Sequence, residues 1–159
     1  MAKKDRHLIS LSWEHRNGLV LVWRVRRGLE KGVDRGIIAA YLLHFWDIAV
    51  RPHFETEEKL LFPEMAGEES ILAQVRGDHQ AIREMVDVFR NGKRPKQTIR
   101  SLQDFSDALE RHIRFEEREV FPVAAKRIPP ERMKRLDNAL HARFHNVTDN
   151  WSPEFWETG

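Results

Sequence analysis

The chain of 159 residues has no cysteine. That excludes disulfides, thiolate metal sites, iron–sulfur clusters and cysteine nucleophiles together, so any metal must be held by nitrogen and oxygen. Long apolar runs are also missing. The longest, Leu19–Trp23 and Ile37–Leu43, fall far short of the roughly 20 residues a membrane-crossing helix needs. Neither charge dominates: 27 Lys and Arg stand against 25 Asp and Glu, interspersed, for a formal net charge of +2. There is thus no electrostatic ground for a nucleic-acid or membrane partner. The basic start MAKKDRH is not followed by the apolar stretch of a secretion signal, so a cytoplasmic protein is expected. Alternating Val, Ile and Thr, the mark of a strand, is absent as well.

Helical periodicity fills the space those absences leave. The length suits one domain over 1–159, with a core bundle at about 8–122 and a C-terminal helix and tail at 123–159. Ser10 or Ser12 can cap a first helix that turns Leu11, His15, Leu19, Val22 and Leu29 inward and stops at Gly32. Gly18, one turn after His15, would let a neighbour approach closely. Asp34 can cap a second helix with Ile38, Leu42, Phe45, Ala49, His53, Glu57 and Leu60 on one side. Pro52 should kink it and Phe62-Pro63 should end it.

Leu72, Val75, His79, Ile82, Val86 and Phe89 alternate three and four apart in a third helix. NGKRPK reads as a turn. The fourth helix places Leu102, Phe105, Leu109, His112, Glu116 and Val120 inward and stops at Phe121-Pro122. A fifth starts near Pro129-Pro130 and runs to about His145, before a tail whose Trp151 and Trp156 should cover the bundle. Trp13, Trp23 and Trp46 read as core or rim packing. The predicted fold is all-α: an antiparallel up-down-up-down four-helix bundle with an additional C-terminal helix.

One stretch occurs twice. HFETEEKLLFP, from His53 to Pro63, returns as HIRFEEREVFP from His112 to Pro122. Residues four apart on a helix have Cβ atoms about 5–6 Å apart, so His53 with Glu57, and His112 with Glu116, can grip one metal centre. A single such pair is more often surface decoration. Here both pairs lie on apolar stripes, and His15 and His79 occupy inward positions on the other two long helices. Two core-facing carboxylates are costly unless something neutralises them. Four imidazoles and two carboxylates suit two cations, His15 and His53 on one, His79 and His112 on the other, with Glu57 and Glu116 bridging. The donor set favours iron over magnesium or calcium, with manganese and zinc also compatible.

The remaining polar residues read more plainly. Glu58 and Glu117 lie off the His–Glu face and should pair with Arg or Lys or hydrogen-bond a ligand histidine. His44 is out of phase and should face away, and His141 and His145 lack a carboxylate of the repeated type. No Glu has a His three residues later, which excludes the ferritin-type ligand motif.

These segments, with SWEHRNGL and GDHQAIREM, resemble the hemerythrin family and specifically its HHE cation-binding domains, over about residues 8–145. The resemblance implies a four-helix bundle around two iron ions, oxo- or hydroxo-bridged, that handle dioxygen or another small diatomic or peroxide ligand. It carries the ligand role to the same six residues. One departure stands out: oxygen-carrying members place a further His one turn after the third-helix His, where this chain has Arg83. Four histidines instead of five leave room for oxygen or redox sensing, storage or transport. A peroxidase- or oxidase-like oxidoreductase and an iron-homeostasis protein are the alternatives.

Overall fold

A computed structural model describes residues 7–92, 97–144, 147 and 150–157. These residues form five helical runs and no strand. Helix α1 is Ile9–Glu30, and α3 is Glu69–Asn91. Runs α2 (35–65) and α4 (99–127) are each built of several helical segments, and α5 is Pro130–Arg143. No described helix is long and apolar enough to cross a membrane.

The start of α1 differs from expectation. Neither Ser10 nor Ser12 caps it, because both lie inside the helix, and the N-cap is Leu8 with φ 61° and no side-chain cap. A left-handed conformation costs a non-glycine residue about 1–2 kcal/mol. Asp137 of α5 offsets this by accepting the Leu8 backbone N–H at 2.9 Å, while Leu8 is 1% exposed in the core. The stop at Gly32 is as expected. With φ +68°, Gly32 donates to the Leu29 carbonyl and Val33 to that of Gly28, at 3.1 and 3.0 Å.

Three prolines decide the shape of α2 and α4. The sequence predicts stops at Phe62-Pro63 and Phe121-Pro122, yet the backbone stays helical through both, as it does through Pro52, where a kink is predicted. Each is preceded by a widened π turn: Trp46–Val50, Glu57–Leu61 and Glu116–Val120. The turns close by i+5 bonds, from Arg51 to Trp46, Phe62 to Glu57 and Phe121 to Glu116, and the next residue is the proline each time. A proline ring clashes with the carbonyl four residues back and has no N–H to give it. Widening the turn moves that carbonyl aside, so the helix continues as Phe62–Met65 in one copy and Phe121–Arg127 in the other. The extra residue also rotates the face, so Leu61 is buried where Leu60 was expected.

The other elements follow the periodicity. Asp34 caps α2 by accepting from Gly36 and Ile37, and Thr98 with Ser101 forms a reciprocal capping box on α4. The inward residues expected for α3 and α4 are all buried. Helix α5 ends at Arg143; His145 and residues 93–96 of the expected turn lie outside the described residues. On α1 the buried stripe swings towards Gly18, Leu21 and Val25, leaving Leu19 exposed. Trp13 and Trp23 are exposed too, at 47% and 56%; of the three tryptophans placed in core or rim, only Trp46 is buried.

The core has two apolar halves. One gathers Leu21 and Val25 of α1, Ile38 to Phe54 of α2, Ile82 to Phe89 of α3 and Leu102 to Ile113 of α4. The other gathers Leu8, Leu11, Leu61, Phe62, Leu72, Val75, Val120 and Phe121 with α5. The tail closes the first half as expected. Phe155 and Trp156 pack on Tyr41 at 5.4 and 5.0 Å, with the Arg24 guanidinium 4.0 Å above the Trp156 ring. His44 is half-buried and rests against Trp151 at 5.0 Å.

Candidate metal centre

Between the two apolar halves lies one polar layer. The structure brings His15, His53, Glu57, His79, His112 and Glu116 together there, each 5% exposed or less and both carboxylates fully buried. They form two groups, His15, His53, Glu57 and Glu116, and Glu57, His79, His112 and Glu116, with ligand-capable atoms within 4.8 Å of one another. Each group could hold a metal ion, and Glu57 and Glu116 belong to both.

The backbone explains the aim of these carboxylates. Glu57 and Glu116 are each the first residue of a π turn. The preceding α-helical turn sets His53 and His112 on the same face, and Nε2 of each touches its own Glu four residues on. The Nε2 of His15 lies 3.8 and 3.7 Å from Glu57 and Glu116, and that of His79 lies 3.2 Å from Glu57. Rings of Phe54 and Phe121 stack on His79 and His15, with interplanar angles of 1° and 5°, and fix two imidazole planes.

Behind each histidine stands another carboxylate. Nδ1 of His15 faces Glu117 at 2.8 Å, that of His53 faces Glu14 at 3.1 Å, and that of His112 faces Asp78 at 3.2 Å. His79 Nδ1 faces Glu58 at 3.5 Å. The four contacts close a ring: α4 supports α1, α1 supports α2, α2 supports α3 and α3 supports α4. A carboxylate hydrogen-bonded at Nδ1, as on His15, His53 and His112, fixes the tautomer that leaves the Nε2 lone pair facing inward. His79 Nδ1 makes no hydrogen bond among the described residues and only faces Glu58. Glu58 and Glu117 therefore hydrogen-bond or face histidines, as their sequence position allowed. The parts played by Glu14 and Asp78 were not foreseen, although each directly precedes an inward histidine. Arg83 does not enter the site. It grips Glu58 with both terminal nitrogens, NH1 at 2.9 Å and NH2 in close contact, and lies over Phe54.

The donor set fits cations. Nε2 of His15 and of His53 and both oxygens of Glu57 and of Glu116 are buried without a hydrogen-bond partner. Buried ionised carboxylates are costly unless paired or bound to metal. Without a metal, the imidazoles take up the load as protons. Burial works against charging His15, His53 and His112, yet the surrounding carboxylates outweigh it; His15 rises well above its ordinary range, His53 to about 9 and His112 to about 10. Burial likewise opposes ionisation of Glu57, and His53, His15 and His79 overcome it, holding that carboxyl well below the usual range. Glu58 is also held low: its partial burial is overcome by Arg83 and His79.

Beside the layer is a small apolar vestibule. Gly18, Ala49, Val50, Leu109 and Ile113 line it, with His15 and His53 at one wall. It leaves about 10 Å³ for the centre of a water-sized molecule, which is room for roughly one. The chain's repeat accounts for it. Three residues after His79 comes Ile82, but three after His15 comes Gly18, and the residue after His53 is Phe54 where the one after His112 is Ile113. Gly18 and Ile113 face the vestibule together with Phe54, and Ile113 Cδ1 is only 2.7 Å from where a Gly18 Cβ would stand.

No curated protein and no solved structure matches the chain. The family model for the hemerythrin HHE cation-binding domain matches residues 13–124, which takes in all six clustered residues and all four carboxylates behind them. The chain belongs to the hemerythrin family of HHE cation-binding domains.

Proposed function

We propose that the two groups of residues hold two iron ions, and that the chain uses them to bind dioxygen or a related small ligand in oxygen or redox sensing, storage or transport. One observation carries this reading: two fully buried carboxylates, with no hydrogen bond to any oxygen, stand among four inward-facing Nε2 atoms. Manganese or zinc would satisfy the same donors, but zinc has no redox chemistry to offer dioxygen, and iron suits the imidazole-carboxylate set with open positions. An iron pair supplies electrons that can be lent to a small ligand and recovered.

The rest is the work of this chain. Glu14, Glu58, Asp78 and Glu117 orient the four imidazoles from behind. Glu57 and Glu116 reach both groups and would bridge. The vestibule at Gly18 admits something the size of a diatomic molecule or peroxide and keeps bulk water out. We read the four long helices as an antiparallel up-down-up-down bundle. The order in which α1 to α4 pass through the two core halves, opposite for successive helices, supports it. Nothing in the charge balance suggests a nucleic-acid or membrane partner, and we assign none.

Metal analysis of the purified protein, with spectra taken with and without oxygen, tests the reading. About two irons per chain and a near-ultraviolet charge-transfer band that responds to oxygen are expected, and Glu116→Ala should abolish or halve the metal content. Unchanged metal content in that variant, or no oxygen response in the loaded protein, sinks it.

A second reading is favoured by Arg83. Its side chain engages Glu58 instead of supplying a ligand, which leaves the His79–His112 group with two histidines. A coordination position free on both sides suits a peroxidase- or oxidase-like oxidoreductase. Steady-state consumption of peroxide with a reductant separates the two, because a carrier or sensor reacts once per site.

A further inference from the structure

On the flank of the bundle, a groove of about 380 Å³ runs between α3 and α4. Its size falls within the roughly 300–1,000 Å³ range of small-molecule sites. The floor is apolar, with Ile82 and Met85 from α3 and Ala108 and Phe115 from α4. The α4 rim carries Arg111, Arg114 and Arg118, spaced three and four apart and so along one ridge. Arg114 is paired with Glu110 at 3.4 Å, whereas Arg111 and Arg118 make no ion pair among the described residues. Arg26, Arg83 and Arg90 sit on Asp107, Glu58 and Asp47, and Arg111 and Arg118 differ from these in making no ion pair among the described residues. The one carboxylate in the groove lining, Asp78, is already engaged by His112 at 3.2 Å.

A second observation comes from α3. Gly77, next to Asp78, has no atom within 4 Å of where its Cβ would be. Glycine inside a helix costs about 1 kcal/mol relative to alanine, and no packing in this chain requires it. The helix is bare beside the groove.

We propose that this groove binds a small organic anion, an aromatic or aliphatic body bearing one carboxylate, sulfonate or phosphate. Its head sits at Arg111 and Arg118 and its body covers Ile82, Met85 and Phe115. Bound there, it lies against Asp78, the carboxylate that holds His112. The groove requires no metal, although its inner wall includes His112, one of the six clustered residues.

Calorimetric titration of the full chain, metal-free and iron-loaded, with 2-naphthalenesulfonate and with 2-naphthalenemethanol tests this. The two probes share a ring and differ in charge. One saturable site for the sulfonate is expected, about tenfold weaker for the alcohol and about tenfold weaker for the sulfonate in an Arg111→Gln/Arg118→Gln variant. Gln74→Trp, at an exposed position of the lining, should weaken both probes by filling the groove. Each substitution is on the surface, so circular dichroism and metal content should match the native chain. Equal affinity for the two probes, sulfonate binding indifferent to the arginine changes, or no saturable binding overturns the proposal. Because the metal-free chain is titrated in parallel, failure here is distinguishable from failure of the iron reading.

Discussion

Oε1 of Glu117 lies 2.8 Å from Nδ1 of His15, and this contact closes the ring of carboxylates by tying α4 back to α1. Ser12 donates to the other oxygen of the same group at 3.2 Å, so Glu117 is held from two sides by one helix. It is the shortest of the four carboxylate–imidazole contacts behind the site.

Glu117→Ala should therefore weaken metal binding by about 10–100-fold while all six inward groups remain. Competition with a chelator of known affinity measures the loss. Native affinity in this variant would mean that the outer carboxylates do not orient the ligands.

The stripped and loaded proteins should respond oppositely to alkali. In the metal-free chain His53 and His112 are raised to about 9 and about 10. A group raised on folding stabilises fully below its unfolded pKa, about 6.5 for histidine, and that contribution is lost as pH rises through the folded value. Denaturation midpoints of the stripped protein should fall between pH 7 and 10. Metal uptake instead expels these protons, so affinity should rise with pH over the same window. A stripped protein equally stable at pH 7 and 10 would contradict the assignment.

At Gly18 a double substitution is informative. Gly18→Ala places a methyl 2.7 Å from Ile113 Cδ1, and overpacking of this kind costs about 1–3 kcal/mol, against about 1 kcal/mol gained in helix propensity. Ile113→Val removes the very atom that clashes. The pair should be more stable than the sum of the two single changes by about 0.5–3 kcal/mol in a thermodynamic cycle. In the loaded protein, Gly18→Ala should also slow entry of oxygen, read by stopped-flow absorbance.

Arg83→Gln should act mainly on the metal and little on the fold. The Arg83–Glu58 pair is about a third exposed on both sides, and pairs of that exposure contribute up to about 1 kcal/mol. Glu58, once released, no longer presents one oxygen steadily to His79. Metal affinity should fall, and Arg83→Lys should recover only part of it, since lysine cannot reproduce the two-pronged grip. Full recovery with lysine would point to charge alone.

Trp156→Ala should do the reverse. The ring is 5% exposed among Tyr41, Phe155 and Arg24, and truncating a buried tryptophan costs about 3–5 kcal/mol. The melting temperature should drop with metal stoichiometry unchanged. Lost metal together with lost stability would show that the tail shapes the site.

Much of this was legible in the residues. The three-four alternation of Leu72 to Phe89 places His79 inward, and the duplicated His–Glu spacing already points to the cluster. What periodicity could not supply was the backbone's answer to proline. Pro63 and Pro122 read as helix ends because an α-helix cannot hold them, whereas a single i+5 turn can. That same turn moved burial from Leu60 to Leu61. Tryptophan was less legible: of Trp13, Trp23 and Trp46, read as core or rim packing, only Trp46 is buried, while Trp13 keeps a ring contact with Phe144 at 5.4 Å. The acids beside His15 and His79 needed knowledge of which helices are neighbours, which one-dimensional spacing does not contain.

The two apolar halves of the core meet only across the polar layer. Each of α1 to α4 crosses that seam once, and there imidazoles and carboxylates, flanked by the rings of Phe54 and Phe121, replace aliphatic packing. With cations in place the layer acts as a rivet. Stripped, it becomes a plane of weakness along which the half capped by the tail and the half braced by α5 can loosen independently. Amide exchange in the stripped chain should then resolve two cooperative blocks, and adding metal should fuse them into one.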